Sequence, residues 1–139
     1  MYNDFLRKHP EIAKLYPSEV EDLTQEQVDN IYCQEFYKPG RVEAINSDRF
    51  AEHVFDTVVN PGIDSGPKLI QESINNVTGW NIGTKNGIGT ETLSSINNLN
   101  NNQLQTVNDN LVDRRKQYYR ERSKDKFKRG LLNRAELFR

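Results

Sequence analysis

Residues 55–75 read FDTVVNPGIDSGPKLIQESIN, an apolar helical run that stops at Asn60-Pro61-Gly62 and restarts behind Gly66-Pro67. Pro61 has no N–H to donate and its ring clashes with the preceding turn, so it cannot continue a helix. Gly62 can take the positive φ that closes a helix end. Pro67 has its φ already set and suits a first helical residue. The stretch predicts helix, tight connection, helix.

Working outward, Asn46-Ser47-Asp48 is an N-terminal signal for the helix that ends at the break. Over residues 48–60, Phe50, Ala51, Val54, Phe55, Val58 and Val59 fall on one face at the 3.6-residue period. Glu52, Asp56 and Asn60 form an i, i+4, i+8 line on the other side, with His53 beside it. That line reads as a solvated polar face. Upstream, residues 3–15 carry a weak helical pattern through Phe5, Ile12, Ala13 and Leu15. Thr24 and Gln27 make a capping box for a helix running to about Tyr37, where Lys38-Pro39-Gly40 ends it. Cys33 falls in this amphipathic pattern as a small buried residue.

Downstream, Pro67 to about Val77 forms a helix with Leu69, Ile70 and Ile74 as core contacts. Residues 78–89, TGWNIGTKNGIG, hold four of the eight glycines, so they read as a loop with a short hairpin around Asn86-Gly87. A helix restarts at Thr90, and NNLNNN (97–102) is a turn. A long helix runs from about Gln103 to Arg122, and a last one starts near Lys124, carrying Phe127, Leu131, Leu132, Leu137 and Phe138. No strand signal is strong, so the fold class is mainly α.

The net charge of −1 hides an asymmetry. Residues 1–111 hold 8 Lys/Arg and 16 Asp/Glu, a net of −8; residues 112–139 hold 11 and 4, a net of +7. The basic end can meet an anionic polymer or the acidic half of the molecule. One cysteine excludes an intrachain disulfide, and two histidines far apart give no zinc spacing. No metal or cofactor is expected. No apolar run reaches the roughly 18 residues of a membrane span, and the N-terminus does not read as a signal peptide.

IYCQEFYKPGRVEAI (31–45) and FAEHVFDTVVNPGIDSGPKLIQESIN (50–75) resemble the central part of the lysozyme-like N-acetylmuramidases, also called secretion-activating proteins, of glycoside hydrolase family 108. NGIGTETLSSIN (86–97), RRKQYYRE (114–121) and FKRGLLNR (127–134) resemble the small peptidoglycan-binding module at that family's C-terminus. Together they cover residues 24–138. The resemblance implies a lysozyme-like helical domain, N-terminally truncated, over 1–64, followed by a small helical peptidoglycan-binding module over 65–139. The module's motif uses Arg115, Tyr119 and Arg134. Where the module has Trp after its glycine this chain has Leu131, and Asn86 replaces its Asp.

The family's catalytic glutamate lies in a Glu-Gly-Gly motif that residues 1–139 do not contain; Tyr2-Asn3-Asp4-Phe5 resembles the helix that follows it. The expectation is a chain that binds wall material but is inactive alone, placed at the envelope of a bacterium or made by a phage. A domain lacking its first helix would expose apolar surface, pointing to a homodimer or a missing N-terminal segment. The resemblance also turns Asp56 and Asn60 toward a glycan cleft, and the break at Pro61-Gly62 out of the domain core toward the module.

Glycosidases work with two carboxyl groups, one holding its proton as an acid. Glu52 and Asp56, one turn apart, are the candidates for such a pair, though a solvated face accounts for them as well. Tyr37, Trp80 and Tyr119 join Asp56 and Asn60 as candidate glycan contacts, since aromatic faces stack on sugar rings; Trp80, in a loop, is the leading one. A triad from His53 and Asp56 fails on geometry, and GTKNGIG lacks the Lys-Ser/Thr ending of a phosphate loop. No nucleic-acid partner is expected. The alternative function is a non-enzymatic helical module for an anionic polymer or a protein partner.

Overall fold

The computed structural model describes residues 2–32, 42–84 and 87–139. Among these the secondary structure is helical, without strands. The helices are α1 (Tyr2–Lys8), α2 (Pro10–Ala13), α3 (Gln25–Tyr32), α4 (Asp48–Val59), α5 (Ser65–Thr78), α6 (Thr90–Asn97), α7 (Asn101–Arg122) and α8 (Asp125–Glu136). Single 3₁₀ turns cover Val20–Asp22 and Val42–Ala44.

Local chemistry sets most boundaries as read. Thr24 Oγ1 accepts from Gln27 N at 3.2 Å and Gln27 Oε1 from Thr24 N at 3.0 Å, the reciprocal capping box ahead of α3. Ser47 accepts from Phe50 N at the start of α4. A second capping box, Asn100 with Gln103, starts α7 inside what the sequence suggested was only a turn. The weak pattern over 3–15 resolves into two short helices, leaving Leu15 outside them and 80% exposed. Cys33 and the predicted extension of α3 to Tyr37 lie outside the described residues.

The break behaves as its chemistry demands, but it leads elsewhere than expected. Gly62 has φ +106°, and the chain re-enters a helix at Ser65, two residues before Pro67. It does not leave the core. Val54 and Val58 of α4 and Ile70 and Ile74 of α5 belong to one buried cluster that runs from Val42 to Leu111 and includes Leu93, Ile96 and Val107. Residues on both sides of position 64 share it. Gly66 permits this return. A Cβ there would lie 3.0 Å from the Thr57 carbonyl carbon and from Val58 Cα, and closer still to the Thr57 oxygen. A smaller cluster, Tyr2, Phe5 and Ile31 with Leu6, Tyr16 and Leu23 against it, holds α1 and α3 together.

The hairpin expected around Asn86-Gly87 turns on Asn86, outside the described residues; the loop after α5 is described over 79–84 and from 87. Gly79, at φ +78°, caps α5. Asn75 then binds both polar groups of Ile82, its Oδ1 accepting at 2.9 Å and its Nδ2 donating at 3.0 Å. Glu91 accepts from Gly83 N at 2.7 Å, and buried Gln71 donates to Gly87 O and Thr92 Oγ1. Side chains therefore replace a strand ladder in satisfying this backbone.

Two glycines should respond oppositely to a methyl group. Gly66→Ala forces α4 and α5 apart and should cost about 1–3 kcal/mol. Gly130→Ala, in α8 with nothing within 4 Å of the added carbon, should gain roughly 0.5–1 kcal/mol. Urea unfolding of the two variants checks both signs.

Candidate functional site

Three helices converge on Asp56. Its side chain is 5% exposed. Oδ1 accepts from Arg134 Nε of α8 at 2.6 Å, and Oδ2 accepts from Arg115 Nη2 of α7. The Arg115 side chain is fully buried, and its Nε and Nη2 also donate to the Tyr119 hydroxyl at 3.2 and 2.9 Å. An unpaired charge in such a place costs several kcal/mol, so the buried Asp56 and Arg115 require each other, while Arg134, 56% exposed, adds its contact from the surface.

This overturns the solvated reading for part of the polar line. Asp56 is inside the protein, and so is His53, at 0% exposure. The helical wheel assigned both to the water side because it cannot see that α7 and α8 cover that side. Tyr119, expected among the glycan contacts, is 1% exposed and bonded to Arg115, so neither ring face is available for a sugar. Tyr118 is the more exposed of the paired tyrosines. The basic end likewise turns partly inward: Arg114 pairs with Glu72 at 3.1 Å and Arg115 with Asp56, both on the acidic half.

His53 stacks on Phe138, centroids 4.8 Å apart and planes 6° apart, and its Nδ1 lies 2.7 Å from Asn108 Oδ1. Burial lowers its pKa to about 4; the Asn108 hydrogen bond opposes that shift and the Arg115 charge assists it. The ring is therefore neutral at physiological pH.

Beside the triple contact is a cleft of about 980 Å³, of ligand-binding size. Glu52 and Asp56 of α4 and its C-cap Asn60 line it, so the structure does bring the sequence-predicted polar line to one cavity. Glu43 and Asp48 add carboxylates, Phe55, Val59 and Phe138 add apolar wall, and Arg134 closes one side. Asp56 offers it little surface, being 5% exposed with both oxygens accepting from guanidinium groups; Glu52 and Asn60 are exposed. A second, shallower depression lies by Trp80, which is 39% exposed, with Glu91, Ser94, Ser95 and Asn98 around it. Trp80 and the α4 line thus sit in different cavities. Tyr37 lies outside the described residues. No group of metal-binding side chains occurs among the described residues, and no helix among them is long and apolar enough to cross a membrane.

Residues 2–62 match the glycosyl hydrolase 108 family. The family resemblance read from the sequence is supported over this stretch, which contains α4 and therefore Glu52, Asp56 and Asn60 of the cleft wall. No curated protein and no solved structure matches the chain. Sequence reasoning missed the junction of Asp56 with Arg115 and Arg134. The only signal was that the glycosyl hydrolase 108 resemblance singled out these same residues in separate motifs.

Asp56→Asn leaves buried Arg115 without its counter-charge and should destabilise the fold by about 3–5 kcal/mol. Arg115→Met in the Asp56→Asn background should recover part of that loss. A urea double-mutant cycle measures the coupling, and additive single effects would contradict the pairing. Acid should also weaken the fold through His53. Its folded pKa, about 4, lies below the unfolded value near 6.5. Its contribution is complete above about pH 6.5 and is lost as pH falls toward 4, on the order of 3 kcal/mol in all. Unfolding curves of wild type and His53→Gln should therefore converge over that interval.

Proposed function

We propose that this protein binds peptidoglycan as a relative of the cell-wall N-acetylmuramidases and does so without catalysing glycan cleavage on its own. The observation that carries the reading is the glycosyl hydrolase 108 match over residues 2–62, a stretch that supplies the α4 wall of the large cleft. Residues 1–64 are read as the lysozyme-like part and 65–139 as the binding module, the two packed around a common core. The protein acts at the envelope of a bacterium, as a host or phage product.

The chemistry of the cleft supports binding over hydrolysis. A general acid needs a carboxyl group kept protonated by an apolar setting. Asp56 has both oxygens engaged by guanidinium groups, which commits it to the fold. Glu52 is exposed and has no such setting. Asn60 and Glu52 can still hydrogen-bond sugar hydroxyls, and the half-exposed Trp80 offers a flat apolar face beside the hydroxyls of Ser94 and Ser95.

Purified sacculi test both halves of the proposal. Wild-type protein should pellet with them while reducing ends stay at the buffer level. Trp80→Ala and Asn60→Ala should each weaken pelleting by about five- to tenfold, as expected for the loss of a ring contact or a hydrogen bond at a sugar. Reducing-end release that disappears in Glu52→Gln would show an active carboxylate and overturn the non-catalytic reading. Absence of pelleting would overturn the peptidoglycan reading and favour a helical module for a protein partner.

A further inference from the structure

In the first half of α8, exposed apolar and cationic side chains coincide. Phe127 is 53% exposed. Phe127, Gly130 and Leu131 floor a shallow depression edged by Lys124, Lys126 and Arg134. The Lys126 ammonium sits 4.8 Å from the centre of the Phe127 ring. The second half of the same helix is held by the fold: Arg134 meets Asp56, Ala135 is fully buried, and Lys116 of α7 pairs with Glu136 at 2.8 Å. The first half, with Phe127, is presented to solvent.

Residues 120–129 contain Arg120, Arg122, Lys124, Lys126, Lys128 and Arg129 against Glu121 and Asp125, six minus two, a net of +4. Lys128 pairs with Asp125 at 3.4 Å. The other five cations have no carboxylate partner among the described residues; Arg122 lies over the Tyr118 ring instead. This contrasts with Arg114, Arg115, Lys116, Arg134 and Arg139, which all meet acids within the fold.

We propose that this face docks on the surface of an anionic lipid bilayer, with Phe127 and Leu131 entering the boundary between headgroups and acyl chains and the surrounding lysines and arginines at the headgroups. A soluble polyanion matches the charge but gives no role to an exposed phenylalanine set among lysines. A bilayer surface matches both, because anionic groups lie directly above an apolar layer. Lysine stems can lie along the apolar boundary while their ammonium groups stay in water. The protein would rest on the membrane at this face, beside the large cleft, since Arg134 lines both.

Flotation of the full chain with vesicles tests the proposal, using phosphatidylcholine alone and phosphatidylcholine mixed with phosphatidylglycerol. The protein should float with the mixed vesicles only and release as salt rises. Phe127→Ser and the pair Lys124→Glu, Lys126→Glu should each weaken binding at least about tenfold. These side chains are at the surface, and circular dichroism checks that the variants remain folded. No flotation, or flotation unaffected by Phe127→Ser, overturns the proposal. So does full displacement by inorganic phosphate, which would mark a free-anion site. A dimer by light scattering that Phe127→Ser dissociates, without vesicle binding, would assign the face to a second copy.

Discussion

The contact of Asp56 with Arg115 and Arg134 ties α4, α7 and α8 together, and much of the structure's organisation follows from it. The carboxylate lies within a helix whose other buried residues are mostly apolar, and it is tolerable there only because two guanidinium groups reach it. Arg115, in turn, is held on the other side by the Tyr119 hydroxyl and lies over the Tyr119 and Phe138 rings. Phe138 stacks on His53, and its backbone oxygen accepts from Asn108, which also meets His53. One continuous polar and aromatic layer therefore lies between α4 and the two C-terminal helices. The apolar cluster of α4, α5, α6 and α7 packs elsewhere in the same unit.

This arrangement separates two roles that the sequence leaves combined. Glu52, Asp56 and Asn60 all line the cleft, but only Glu52 and Asn60 are exposed to a ligand. Asp56 acts on the cavity by anchoring Arg134, which also lines it. A change at Asp56 would alter the cleft by moving a helix. A change at Glu52 would alter it by removing one polar group.

The helices were largely legible because their signals are local. Ser47, Thr24 with Gln27, Gly62 and the 3.6-residue spacing around Val54 each act within a few residues, and each appears where the sequence places it. The inward direction of Asp56, His53 and Tyr119 was not legible, because it depends on partners many residues away. A single helix cannot reveal which of its polar residues another helix will cover. The hold on the loop at 82–83 was hidden for a related reason: Asn75 and Glu91, in flanking helices, provide its hydrogen bonds. The loop position of Trp80 was readable locally, and its ring is 39% exposed.

The Asp56 pairing also has a consequence during synthesis. Its two partners lie 59 and 78 residues further along the chain, so the carboxylate emerges long before either arginine exists to receive it. Until then it is a bare charge in the run VFDTVV, the kind of apolar segment through which unfinished chains stick to one another. A lone charge inside such a run opposes that self-association. The side chain that joins three helices in the finished protein is therefore also the charge that interrupts this apolar run.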